Sequence, residues 1–161
     1  MRYVSVADFC RWFGFEEMAQ LTRPDDKDAV SPDLLREIVS GEWDANWTDE
    51  QLDVAFQAAQ RIDAVLEDAS RLADGYLAVR YTLPLAADVI AASALPRMVG
   101  DLAHYQLYDD QEVAHITNKM KLAVDWLEGV SRGLVRLGAD APVQTTIGTP
   151  VIDSTPRVFG R

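Results

Sequence analysis

Cysteine and histidine are almost missing from this chain: Cys10 is the sole thiol, and His104 and His115 are the only imidazoles. One cysteine excludes an intramolecular disulfide and a thiolate-based zinc site, and it fits a reducing setting. Two histidines placed apart, with no fixed partner, supply no ligand set and are more often packing or surface residues than a catalytic pair. Long apolar runs are missing too. No window approaches the roughly eighteen apolar residues a membrane span needs. The opening MRYVSVADF lacks the uninterrupted apolar region of a signal peptide, so the chain is expected to stay where it is made.

Other signatures are also wanting. There is no glycine series that could cradle a phosphate, and no serine in a nucleophile elbow. Asp25-Asp26-Lys27-Asp28 has neither the glycine nor the terminal glutamate of a calcium loop. The sequon Asn46-Trp47-Thr48 matters only in a secretory pathway. The reading is of a protein with no catalytic residue, no cofactor and no metal.

Positive charge is scarce. Fifteen basic against 26 acidic residues give a net charge of −11, the wrong sign for gripping phosphates, so nucleic-acid binding is disfavoured as the main task. Ten acids fall between Asp25 and Asp53, against only Lys27 and Arg36. A solvated surface accounts for such a cluster most simply; an acidic lining past which DNA slides without sticking is the sharper alternative.

What is present is helical periodicity. From Thr48 onward the apolar residues Leu52, Phe56, Ala59, Ile62, Leu66, Ala69, Ala73 and Tyr76 recur in steps of three and four, which places them on one side of a helix. Thr48 with Gln51 reads as a capping box, and Pro84 cannot continue a helix, so the end is expected near Arg80 or Tyr81. Such a helix is long enough to be the axis on which shorter ones pack. Before it, Ser5 caps a helix with Val6, Phe9, Cys10 and Phe13 on one face and Gly14 as its stop; a further helical turn spans 15–21. Ser31-Pro32 starts another helix, and Gly41 stops it. Trp43 and Trp47 then staple this segment to the long helix.

Beyond the Leu83-Pro84-Leu85 corner lies a small apolar run, 86–94, followed by a helix opened by Pro96 and running to Tyr108. The last helix carries Val113, Ile116, Met120, Ala123, Leu127, Val130, Leu134 and Leu137 and is expected to end at Gly138. The remaining segment, 139–161, holds Pro142, Pro150 and Pro156, which no helix could run through, yet Ile147, Val151 and Phe159 are too apolar for a disordered linker. It is either a strap on its own domain or an arm that adds to a neighbouring subunit by strand pairing.

Five stretches together resemble a family of small proteins from Mu-like phages and prophages. They are DASRLADGYLAVRYTLPL, DLAHYQLYDD from Asp101, KLAVDWLEGVSRGLVRLG from Lys121, and the two ends YVSVADFCRWFG and RVFGR. The family's helix ending in a Gly-Tyr-Leu, Arg-Tyr, Leu-Pro-Leu series is matched by Gly75, Tyr76, Leu77, Arg80, Tyr81, Leu83, Pro84 and Leu85. Segment 25–47 looks longer than the family's usual connection, and His104 stands where an arginine is expected. The resemblance implies head completion: a structural adaptor forming a homo-oligomeric ring between the portal and the tail-side connectors, with DNA only passing through its channel. It further implies a place at the virion head–tail junction, after synthesis in the host cytoplasm.

The chain is thus expected to be all-α, a small helical bundle over residues 1–138 built on one long central helix, with an acidic insert at 25–47 and an extended C-terminal arm at 139–161. Gly75, Tyr76, Arg80, Tyr81, Pro84, Asp101, Tyr105 and Trp126 are expected at helix crossings, with Gly75 marking a close approach of backbones. Tyr76, Arg80, Tyr81 and Tyr105 in particular read as a polar-tipped core. Ile147, Val151, Arg157 and Phe159 are the candidate contacts to a subunit or partner. The rival reading is a monomeric helical ligand-binding or regulatory protein of a prophage, which needs a pocket the sequence does not announce.

Overall fold

The computed structural model describes residues 2–23, 30–108 and 113–138, and among them the chain forms seven helices. They are α1 (Val6–Phe13), α2 (Phe15–Leu21), α3 (Pro32–Ser40), α4 (Asp49–Leu77), α5 (Ala87–Ala92), α6 (Leu95–Leu107) and α7 (Ala114–Ser131). The fold is all-α. The proposed insert lies partly outside the described residues, as does all of 139–161.

Local chemistry sets most helix starts. The Ser5 hydroxyl accepts the Asp8 amide, and Ser31, followed by Pro32, accepts that of Leu34. Thr48 and Gln51 close a complete capping box at the head of α4. Gly41 ends α3 at φ +82°, a left-handed conformation that costs glycine little.

The 29-residue helix α4 is the axis of the bundle: α3 and α1 lie against it, and α6 and α7 pack along it and against each other. Its buried line is Val54, Ala55, Ala58, Ile62, Leu66, Ala69, Ser70, Ala73 and Leu77. From Ile62 to Ala73 this is the expected stripe. Before Ile62 it differs: Phe56 is 37% exposed, and Val54, Ala55 and Ala58 point inward instead. Small residues there let α3 approach closely, and Phe56 is left on the rim, where the Trp43 ring meets it edge-on at 5.3 Å. α3 itself buries Leu34, Leu35 and Ile38, so the acidic segment carries a core face as well as a charged one.

Two boundaries depart from the sequence pattern. α4 ends at Leu77, and the chain turns through Ala78 to Arg80, whose amide and that of Tyr81 both donate to the Leu77 carbonyl. The Leu83–Pro84 peptide beyond it is cis. α7 stops at Ser131 rather than Gly138, because Gly133 takes φ +76° and the Leu134 amide folds back to the Gly129 carbonyl at 2.8 Å. Leu134, on the apolar period, therefore ends 80% exposed, while Leu137 returns to the core.

Candidate functional site

Where α4 ends, its last turn meets the turn after α7. The Tyr81 side chain is buried, and its hydroxyl accepts the Leu137 amide at 3.2 Å. One residue earlier, the Arg80 guanidinium lies against Gly133, with its atoms 2.6–2.9 Å from the point a Cβ would occupy. Tyr76 and Trp126 are half-buried against the core. This corner carries Val79, 61% exposed, on one of its turns and Leu134 on the other, two apolar side chains open to a neighbour.

Gly75 is not part of any close approach. A Cβ there meets nothing within 4 Å, because Gly75 sits on the outer side of the last turn of α4. The close approaches are elsewhere: a Cβ on Gly100 of α6 comes within 3.1 Å of the Trp12 ring, and one on Gly129 within 3.1 Å of Val135. Pro84 is exposed, and Tyr105 is half-buried on α6.

α6 meets α1 and α2 through a polar cluster that the sequence does not announce. His104, 3% exposed, stacks on Phe13 at 3.9 Å between ring centroids, and its Nε2 is 2.7 Å from Glu17 Oε1. The Tyr108 hydroxyl donates to the same oxygen at 2.7 Å. Burial pushes the His104 pKa below its ordinary value, outweighing the contrary pull of Glu17, so the imidazole is neutral at pH 7 and donates from Nε2. Burial, with the hydrogen bond to Glu17, pushes the Tyr108 phenol up to about 12.

Two turns back along α6, the Arg97 guanidinium lies over the Phe13 ring at 4.9 Å and the Trp12 ring at 5.6 Å. It stands 3.4 Å from Asp101 Oδ1, a charge contact without hydrogen-bond alignment, since that buried oxygen has no hydrogen bond among the described residues. His104 Nδ1 is likewise buried without one. Asp101 is buried on α6, and the charge that faces it is Arg97 of its own helix.

A third feature lies beside the first half of α4. Val6, Ile38, Val39, Phe56, Ala59, Gln60 and Asp63 enclose a groove of about 320 Å³ between α1, α3 and α4. Nearby, Glu37 Oε2 accepts from Trp47 Nε1 at 2.8 Å and from the Asp44 amide at 3.0 Å, which fixes the turn into α4. Cys10 is fully buried, with its thiol pushed up to about 12 by burial, and so is an inert core residue. Among the described residues no group of His, Cys, Asp and Glu is placed to hold a metal ion, and no helix is long and apolar enough to cross a membrane. Ile147, Val151, Arg157 and Phe159 lie outside the described residues.

An all-helical bundle with packed polar crossings, rather than a cleft of convergent reactive groups, is the kind of domain these features define. The chain belongs to the family described as Bacteriophage Mu, Gp36, whose model matches residues 3–151. It is similar to "Gene product J" of Escherichia phage Mu, with 28% identity over 167 aligned positions that cover 100% of this chain and 96% of that protein.

Proposed function

We propose that this phage protein is a structural head–tail adaptor that joins the portal to the tail as one subunit of a ring, and that it has no enzymatic role. The observation that carries the reading is the end-to-end likeness to a phage Mu gene product, which extends to the motif-bearing corner at the end of α4. The surface is consistent with it. Asp33, Glu42, Asp44, Asp49, Glu50 and Asp53 project from α3, the following turn and the start of α4 into solvent, a charge that repels DNA passing nearby. Val79 and Leu134 offer apolar contacts at the other end of α4.

The net charge of −11 makes like subunits repel at low salt, so the ring closes on its template rather than free in the cytoplasm. The test is joining in vitro. Lysates of the parent phage lacking this chain are expected to hold filled heads and free tails that the purified protein joins into infectious particles. Normal titres without the protein would refute the assignment.

A further inference from the structure

The two ends of α4 present different surfaces. Near its start the exposed Trp43 ring meets the exposed Phe56 edge-on, and Phe56 also borders the groove lined by Val6, Ile38, Val39 and Ala59. An uncovered aromatic pair beside an apolar groove is the kind of surface that packs on a partner. Residues 42–53 around it hold five acids and no base. Of these acids, Asp49 and Glu50 are exposed, and their carboxylates have no ion pair or hydrogen bond among the described residues.

At the other end Val79 and Leu134 are exposed as well. The two connections that carry them, 78–86 and 132–138, hold Arg80, Arg132 and Arg136 and no acid. Arg136 is exposed and has no ion pair among the described residues, and Arg132 holds only a solvent-screened pair with Glu128, one turn back on α7. One surface is therefore apolar among carboxylates, and the other is apolar among guanidinium groups. Opposite charge around two apolar centres is the arrangement that steers and registers a contact.

Their spacing decides where they can meet. From Phe56 to Leu77 the helix α4 advances about 32 Å at 1.5 Å per residue, which holds the two surfaces of one copy apart. They can meet only between copies. One end of a copy against the other end of the next is a head-to-tail contact, which repeats from neighbour to neighbour and closes as a ring when the rotation between them permits. The local reach also matches. Leu134 and Arg136, two residues apart, are separated by at most about 7 Å, and Phe56 and Asp49 by about 10 Å along α4. The length of the arginine side chain makes up the difference.

We infer that each copy of this chain seats the turn 132–136 against the start of α4 in the next copy. Leu134 packs on Phe56 and the groove beside it, Val79 flanks that contact, and Arg136 reaches Asp49 and Glu50. Asp33 and Asp44 stay outside it, on the side proposed to face the channel. Repulsion between chains of like net charge opposes the pairing, so it is weak between free copies and strengthens when a template holds them together. The inference rests on the ring reading for closure alone, and the contact between two copies is tested without heads or tails.

The test mixes two full-length proteins, one carrying Gln60→Cys in the groove lining and the other Leu134→Cys, where cysteine keeps the position apolar. Cys10 does not compete, being fully buried with its thiol pushed up to about 12. Under mild oxidation at high protein concentration the mixture is expected to form covalent dimers at least tenfold faster than either protein alone. It is expected to exceed by the same factor a mixture of Gln60→Cys with Leu122→Cys, an exposed position of α7. Adding Arg136→Glu to the Leu134→Cys copy is expected to slow the reaction several-fold, and adding Asp49→Arg and Glu50→Arg to the Gln60→Cys copy is expected to restore it. Faster dimerisation of either protein alone would replace the head-to-tail contact by a symmetric one. A mixture no faster than the Leu122 control would overturn the contact, and a failed rescue would overturn its charge pairing. Mixed dimers from a protein that does not join heads to tails would leave the contact standing and sink the adaptor reading; joining without mixed dimers would do the reverse.

Discussion

The guanidinium of Arg80 occupies the space beside Gly133 that any other residue would need for its Cβ, its atoms lying 2.6–2.9 Å from that point. The two residues lock the end of α4 to the turn that terminates α7. Gly133 is also at φ +76°, where an L side chain costs about 1–2 kcal/mol. Because the Arg80 head group is the far end of a flexible chain, it can give way, and the backbone term dominates. Gly133→Ala is therefore expected to lower the melting temperature by about 3–8 °C, and Gly133→Asn by less, since Asn tolerates this conformation better. Equal melting of the alanine variant and wild type would show that the turn relaxes freely.

Gly75 and Gly100 are expected to respond with opposite signs. Gly75 lies inside the last turn of α4 facing open space, so Gly75→Ala is expected to stabilise by about 0.5 kcal/mol through helix propensity. Gly100 faces Trp12 at 3.1 Å and Phe13 at 3.7 Å, so Gly100→Leu is expected to overpack the α1–α6 crossing at a cost of about 1–3 kcal/mol. Chemical denaturation of the two variants beside wild type measures both.

The fate of Gly75 shows where sequence reading stops. Caps at Ser5, Ser31 and Thr48 were legible because a cap involves residues three apart, and so was the helical class of the described residues. The face of α4 before Ile62 was not, since Leu52, Phe56 and Ala59 satisfy helical spacing no worse than the Val54, Ala55 and Ala58 set that α3 selects. The end of α7 was misplaced because Leu134 and Leu137 continue the period past a glycine that breaks the helix. The polar cluster stayed hidden for a related reason: Glu17 and His104 are 87 residues apart, and only the fold brings them within 2.7 Å. Nothing local distinguishes a glycine on the outer side of a helix from one at a crossing.

His104 predicts a pH dependence. Its folded pKa lies below the ordinary value of 6.5 because burial disfavours the imidazolium, although Glu17 and Asp101 pull the other way and Lys119 adds to the lowering. Below pH 6.5 the unfolded chain therefore binds the proton more readily than the native one, and stability falls as pH drops toward the lower folded pKa. Above about pH 6.5 this contribution is fully present. Melting temperatures between pH 8 and pH 5 are expected to decline more steeply for wild type than for His104→Gln; parallel curves would mean the imidazole does not titrate differently in the two states.

Glu37 holds the turn between α3 and α4 through its bonds to Trp47 and the Asp44 amide. Glu37→Gln keeps one acceptor and is expected to be mild, whereas Glu37→Ala removes both bonds and is expected to cost about 1 kcal/mol, because the site is partly exposed. Tryptophan emission should shift in the alanine variant as the Trp47 indole loses its partner. An unchanged spectrum and melting curve would place the turn's stability in the Trp43–Phe56 ring contact instead.

The adaptor reading is tested most directly by electron microscopy of joined particles, with symmetry imposed on the head–tail junction. The account predicts a closed ring of copies of this helical bundle between portal and tail, with the acidic face of α3 and α4 turned toward the channel. A junction fully built from other proteins, with no density that fits the bundle, would contradict it.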